Sequence, residues 1–232
     1  MNTITSVPLI ASAFDGFLSK KSNKGFKMYF LIGSASKGFL REDFEKNIRT
    51  LLENIINKCD GKAVLVTNGD LPYNGIFSIA DVVVLAKQLG FVVATIQSDV
   101  AFCLSNSPYF PPGDDAVLFV PTVYKGGSEK KDVQWGGISS TGQPCGPLAK
   151  GLSLMNTEGL NFELLVLGGG ELSKVEEEAY RVTGGGKTSI LQTRNTDESD
   201  SLVNPTSGFH CQCKHNSRFW HNHDNCPYNC GI

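Results

Sequence analysis

Two stretches of this sequence place glycines and small polar side chains directly after apolar runs, in a pattern suited to holding a phosphate. In the first, Gly33 and Ser34 follow the run KMYFLI and begin the segment GSASKG. In the second, Asn68 and Gly69 follow KAVLVT and begin a loop that ends near Gly75. Glycine lets backbone amides approach an anion closely, and hydroxyl and amide side chains add hydrogen bonds. Both stretches are therefore candidate phosphate-binding loops.

A third stretch, GGGELSKVEE, joins an apolar run to a charged segment with helical spacing. The amides of Gly168, Gly169 and Gly170 are candidates to contact a phosphate, and Ser173 is a candidate hydroxyl donor to it. Glu176 has the chemistry to hold ribose hydroxyls or to polarise a leaving base as a general acid. The spacing Ser-x-x-Glu is also that of a capping box, which only satisfies amides at a helix start. Both interpretations stay open.

The elements that must position these loops alternate between short apolar runs and amphipathic segments. Such alternation predicts an α/β fold: a doubly wound, mainly parallel sheet of about six strands with helices on both faces. Ligands of such sheets bind at the carboxyl ends of the strands, where all three loops fall. The predicted strands are 27–32, 62–67, 91–97, 116–124, 162–167 and 188–193, and the predicted helices are 41–59, 76–90, 148–159 and 171–182. The polar segment 125–147 is predicted to be a loop.

Composition limits the classes of partner. The chain has 232 residues, and its net charge of −2 argues against nucleic acid as a partner. No apolar run approaches the ~20 residues that span a bilayer, and no basic residue precedes the first hydrophobic run, so neither a membrane partner nor secretion is expected. We therefore expect a cytoplasmic protein. The predicted organisation is an N-terminal extension (1–26), the sheet domain (27–195), a polar linker (196–209) and a tail rich in cysteine and histidine (210–232).

The tail carries eight potential metal ligands within 21 residues. They are His210, Cys211, Cys213, His215, His221, His223, Cys226 and Cys230. Thiolate and imidazole ligands suit a tetrahedral zinc site, which so short a segment needs in order to fold. The alternative is an unstructured, oxidisable tail. Zinc in the tail is thus the one cofactor considered, and none is expected in the main domain.

Over residues 27–195 the pattern resembles the SLOG superfamily, a Rossmann-like group that includes the LONELY GUY (LOG) phosphoribohydrolases. The opening YFLIGSAS matches the strand followed by Gly-Ser, and LVTNGDLPYNGIFSIADVVVLAKQLG matches the second strand, glycine-rich loop and helix. The group's signature Gly-Gly-x-Gly-Thr-x-x-Glu is matched at Gly169, Gly170, the hydroxyl of Ser173 and Glu176. The resemblance implies a Rossmann-like fold, a small-molecule nucleotide ligand and a homodimer.

Departures from the signature separate three hypotheses about function. Leu172 replaces a signature glycine, and LAKGLSLM lacks the arginine that the hydrolases carry there, with Lys150 as the nearest basic residue. Lysine lacks the two-pronged geometry of arginine. The first hypothesis is therefore a domain that senses or sequesters a nucleoside phosphate or an ADP-ribose-like nucleotide. The second is an N-glycosidic hydrolase that releases the base of a nucleoside 5′-monophosphate, with Glu176 and Lys150 as catalytic candidates. The third is a protein-interaction module with a degenerate pocket.

Overall fold

The computed structural model describes residues 8–33, 39–68, 77–99, 115–121, 123–124, 133–134, 142–144, 146–156, 160–168, 171–184 and 188–191. The strands are β1 (Pro8–Leu9), β2 (Lys27–Gly33), β3 (Ala63–Thr67), β4 (Val92–Ser98), β5 (Ala116–Val120), β6 (Val123–Tyr124), β7 (Val133–Gln134), β8 (Phe162–Leu167) and β9 (Thr188–Leu191). The helices are α1 (Ala11–Asn23), a π-helix (Asp43–Ile48) that continues into α2 (Arg49–Lys58), α3 (Ile79–Gln88), α4 (Gly146–Met155) and α5 (Glu171–Gly184).

The main sheet is parallel and has the order β1-β5-β4-β3-β2-β8-β9. From β2 the chain moves outward through β3, β4 and β5, and then crosses back to place β8 on the other side of β2. This reversal makes the space between the carboxyl ends of β2 and β8 the topological switch point of the sheet. The predicted α/β, Rossmann-like class is confirmed. Six strands were predicted, but only five of the described strands have five or more residues. The sixth prediction, 188–193, corresponds to the four-residue edge strand β9.

Alternating side chains of the strands supply two apolar cores, one on each face of the sheet. On the first face, which we call the α5 face, Phe30, Val66 and Ile96 pack with side chains of α1, α4 and α5. On the second, the α3 face, Leu31 and Leu65 pack with side chains of α2, α3 and the π-helix. The near-continuous apolar runs seen in the sequence are those of strands buried on both faces.

The N-terminal segment is part of the sheet domain from Pro8 onward. β1 pairs in parallel with β5, and Phe14 and Leu18 of α1 are fully buried in the core of the α5 face. The described part of the predicted extension 1–26 is therefore integrated into the domain. A strand of two residues has too few positions to show a periodic pattern, which is why the sequence gives no sign of β1.

The helix predicted at 148–159 runs from Gly146 to Met155. Two further predicted boundaries are wrong for local reasons. The helix predicted at 76–90 begins at Ile79, because Ser78 and Asp81 form a capping box: the Ser78 hydroxyl accepts from the Ala80 amide at 3.2 Å, and the Asp81 carboxylate accepts from the Ser78 amide at 2.7 Å. The strand predicted at 116–124 is divided: β5 ends at Val120, and Val123–Tyr124 form the separate strand β6, which pairs antiparallel with β7 (Val133–Gln134) inside the predicted loop 125–147. In the part of the chain described, no helix has the length and apolar character needed to cross a membrane.

Candidate functional site

Gly33 ends β2 at the switch point, directly beside the end of β8. It is the register partner of Leu167. A Cβ atom at Gly33 would lie 2.6 Å from the Leu167 carbonyl oxygen and 2.6 Å from Cδ1 of Ile79. Both distances are shorter than any ordinary contact, and one neighbour is backbone, which cannot move aside. The predicted phosphate-binding Gly33 is thus required by packing, whatever else it does.

Ser173 ties the start of α5 to this point. Its hydroxyl donates to the Gly33 carbonyl at 3.0 Å, and its side chain is buried. Because α5 begins at Glu171, Ser173 lies within the first turn and does not cap the helix, so the interpretation of Ser-x-x-Glu as a capping box is wrong. A hydroxyl has one proton, and here the Gly33 carbonyl accepts it. Ser173 therefore fixes the helix start and can offer a ligand only its oxygen lone pairs.

Glu176 lies buried one turn further along α5. It is 7% exposed, and burial raises the pKa of its carboxyl group to about 7. Among the described residues it has no hydrogen-bond partner. Tyr180, one further turn along, is fully buried; its hydroxyl has no hydrogen-bond partner in the part of the chain that the structure describes, and burial and the charge of Glu176 raise its pKa. At neutral pH both forms of Glu176 are populated, so it can donate or accept a hydrogen bond.

Besides α1, which begins directly after the edge strand β1, two helices on the α5 face start at the carboxyl edge of the sheet. α5 begins shortly after β8 ends, and α4 ends at Met155, shortly before β8 begins at Phe162. The start of α4 at Gly146 is therefore on the same edge as the start of α5. The positive ends of both helix dipoles favour an anion there. On the α3 face, by contrast, the start of α3 is closed by its own Ser78–Asp81 capping box.

The next two strands, β3 and β4, bring buried polar atoms without partners to the same edge. Asn68 directly follows β3, and its Oδ1 has no hydrogen-bond partner among the described residues. Ser98 ends β4, is fully buried, and its Oγ is likewise unpaired in the described part of the chain. Asn68 was predicted from the sequence. Ser98 was missed, although a hydroxyl residue at the end of a buried strand at this edge is a recognisable signal.

Lys150 is engaged away from Glu176. Its ammonium forms an ion pair with Asp15, with distances of 2.6 and 2.9 Å to the two carboxylate oxygens, and so joins α4 to α1. The described residues include no hydrogen bond or ion pair between Lys150 and Glu176. The structure thus gives Lys150 a role in helix packing, and no contact supports its role as a catalytic cation.

Several predicted site residues lie outside the described residues. They are Ser34, Gly69, Gly75, Gly169 and Gly170 of the loops, and Cys211, Cys213, His215, His221, His223, Cys226 and Cys230 of the tail. Gly168 is described, and its φ of +63° is one that proline cannot adopt and that other residues adopt only with strain. Within the described ranges, no group of three or more His, Cys, Asp or Glu side chains is placed to hold a metal ion.

Similarity to known proteins adds no information about this edge of the sheet. No protein family, curated protein or solved structure matches the chain. The resemblance to the SLOG superfamily stays a prediction from motifs.

Replacing Ser173 by alanine is expected to lower the free energy of unfolding by about 1–2 kcal/mol, because the Gly33 carbonyl loses its donor. Urea denaturation at pH 7 measures the change. The matched control is Ser153→Ala, at an exposed position of α4, where a change within about 0.5 kcal/mol is expected. Equal stability of the two variants would show that the Ser173 hydroxyl does not hold α5 to β2.

Proposed function

We propose that this protein binds a nucleotide, either a nucleoside phosphate or an ADP-ribose-like molecule, at the carboxyl edge beside β2 and β8, and acts as a sensor or sequestering domain. The observation that carries the proposal is the hydrogen bond from Ser173 to the Gly33 carbonyl. It holds a helix start against the strand end at the switch point, where open α/β sheets bind their ligands. An anionic group next to the start of α5 is favoured by the helix dipole.

The partly protonated state of Glu176 at neutral pH favours binding of an anionic ligand. A fully ionised carboxylate would repel a phosphate group, but the raised pKa of about 7 keeps part of the population protonated at neutral pH. The protonated carboxyl group donates a hydrogen bond to the ligand. The ligand therefore selects the protonated form, and affinity depends on pH.

Hydrolysis is the second candidate, and the same pKa favours it. A carboxyl group with a pKa near the working pH is suited to general acid catalysis, and protonation of a leaving base is what cleavage of an N-glycosidic bond requires. Hydrolysis is disfavoured by the ion pair of Lys150 with Asp15, because Lys150 is the nearest basic candidate and its ammonium is already paired. Binding without turnover is therefore the preferred function.

Calorimetric titration with ADP-ribose at pH 6 and pH 8 tests the binding proposal. The pyrophosphate of ADP-ribose keeps the same charge over this range, so a change in affinity reports on the protein. Because only the protonated form of Glu176 can donate the hydrogen bond to the ligand, the affinity for ADP-ribose is expected to fall about tenfold from pH 6 to pH 8. Glu176→Gln keeps a donor at every pH and should abolish this dependence, while the exposed control Glu178→Gln should retain it.

A second measurement separates binding from hydrolysis. Wild-type protein is incubated with AMP, and ribose 5-phosphate and free base are quantified. The binding proposal expects neither product. Product formed by the wild type and lost in Glu176→Gln would establish the hydrolase instead. If neither ADP-ribose nor AMP binds, both nucleotide functions are excluded and the protein-interaction hypothesis is left.

A further inference from the structure

Asn68 and Ser98 face the same side of the sheet at adjacent strand ends. Val66 and Ile96 point to the α5 face, and side chains two residues apart in a strand share a face. Asn68 follows Val66 by two residues and Ser98 follows Ile96 by two, so both lie on the α5 face. The register pairs Thr67 with Thr95, which places the Asn68 and Ser98 Cβ atoms about 8 Å apart.

Two unpaired buried oxygens in this position need an explanation. A buried polar atom without a partner destabilises the protein, and the great majority of such atoms in native proteins are satisfied. Asn68 Oδ1 and Ser98 Oγ have no partner in the described chain and lie at the edge at which α4 and α5 also start. A ligand group that hydrogen-bonds both oxygens removes this destabilisation.

The chemistry of the two oxygens restricts what that group is. The carbonyl oxygen of Asn68 only accepts, so the ligand must donate to it, which a fully ionised phosphate does not do. The Ser98 hydroxyl both donates and accepts. Neighbouring hydroxyl groups on a sugar meet both requirements at once. Both protein oxygens are neutral, and the described residues place no cluster of carboxylates here to attract a metal ion.

We propose that Asn68 and Ser98 form a sugar subsite, in which they hydrogen-bond the 2′- and 3′-hydroxyl groups of a ribonucleotide. This inference rests on the proposed nucleotide-binding function. β3 adjoins β2 and β4 adjoins β3, so a nucleotide whose phosphate lies at the switch point extends its sugar along the edge over these strand ends. The subsite makes the protein selective for ribonucleotides over deoxyribonucleotides.

The first test compares AMP with 2′,3′-dideoxy-AMP by calorimetric titration. Wild-type protein is expected to bind AMP at least tenfold more tightly, and Ser98→Ala is expected to lose most of this preference by weakening AMP binding alone. Ser12→Ala, an exposed serine of α1, is the matched control and should keep the preference. If both ligands bind the wild type equally, the sugar subsite is wrong and nucleotide binding stands. If neither of them binds and ADP-ribose does not bind either, both proposals are wrong.

The second test needs no ligand. If the Ser98 hydroxyl is unpaired in the free protein, Ser98→Ala removes a buried unsatisfied group and should raise the melting temperature by about 3 °C. The same variant then gains stability and loses affinity, which is the signature of a group kept for a ligand. A lowered melting temperature would show that the hydroxyl has a structural partner, such as a buried water molecule, and would overturn the proposal.

Discussion

Replacing Gly151 by alanine is expected to lower the free energy of unfolding by about 3 kcal/mol. Gly151 lies on the buried side of α4, where a Cβ atom would overlap the Tyr180 hydroxyl and lie 2.8 Å from Cζ of Phe30. Both rings are fully buried, with centroids 4.6 Å apart, so neither has space to move into. Forcing an extra methyl group into a filled core costs typically 1–3 kcal/mol. The substitution should therefore push α4 away from α5 and β2.

The matched control for this prediction is Gly16→Ala in α1. Gly16 is also a helical glycine, but a Cβ atom there would meet no atom of the described residues within 4 Å. Alanine has the higher helix propensity, so Gly16→Ala should raise the free energy of unfolding by about 0.5–1 kcal/mol. Urea denaturation of the two variants should thus give changes of opposite sign. A stabilising effect of Gly151→Ala would mean that α4 and α5 are not packed as described.

A double variant identifies the atom responsible. Tyr180→Phe removes the hydroxyl that meets the new methyl group, and this hydroxyl has no hydrogen-bond partner in the described chain. Tyr180→Phe alone should therefore be neutral or slightly stabilising. Combined with Gly151→Ala, it should recover part of the lost stability, which a double-mutant cycle measures as a coupling energy. If the effects of the two substitutions simply add, the strain caused by Gly151→Ala arises from the contact with Phe30 instead.

The sheet was predictable from sequence because its strands carry their own signal. Runs such as KMYFLI, KAVLVT and FELLVL are short and apolar, and five of the six predicted strands contain a strand of at least five residues. The two-residue β1 has no pattern to detect. The π-helix at Asp43–Ile48 was predicted only as part of a longer helix, because its apolar spacing resembles that of an α-helix.

The site was predictable only in part, because its chemistry depends on burial and not on residue type alone. The sequence singled out Ser173 and Glu176 by spacing, but the capping interpretation of that spacing failed, since Ser173 bonds to a carbonyl 140 residues away. The contact of Gly151 with Tyr180 depends on how two helices cross, which no local pattern reports. The buried state of Glu176 likewise follows from the tertiary packing of α5.

The second large effect is a pH dependence of stability caused by Glu176. Its pKa in the folded protein is about 7, above the ordinary value of 4.5, so between these values the folded state holds a proton that the unfolded state releases. The stabilisation is fully present below about pH 4.5 and is lost as pH rises through 7. The free energy of unfolding should therefore fall by about 3 kcal/mol from this group between pH 4.5 and pH 8.

Urea denaturation of wild type and Glu176→Gln across this pH range measures the effect, as the difference between the two pH profiles. Glutamine does not titrate, so the Glu176→Gln profile should lack the fall, whereas Glu178→Gln, which removes an exposed carboxylate paired with Arg181, should keep it. Parallel wild-type and Glu176→Gln profiles would mean that a partner keeps the carboxylate ionised, and the protonated Glu176 invoked for binding would then be excluded. A ligand that accepts a hydrogen bond from protonated Glu176 should make the fall larger, because its affinity, and with it its contribution to stability, decreases as the pH rises.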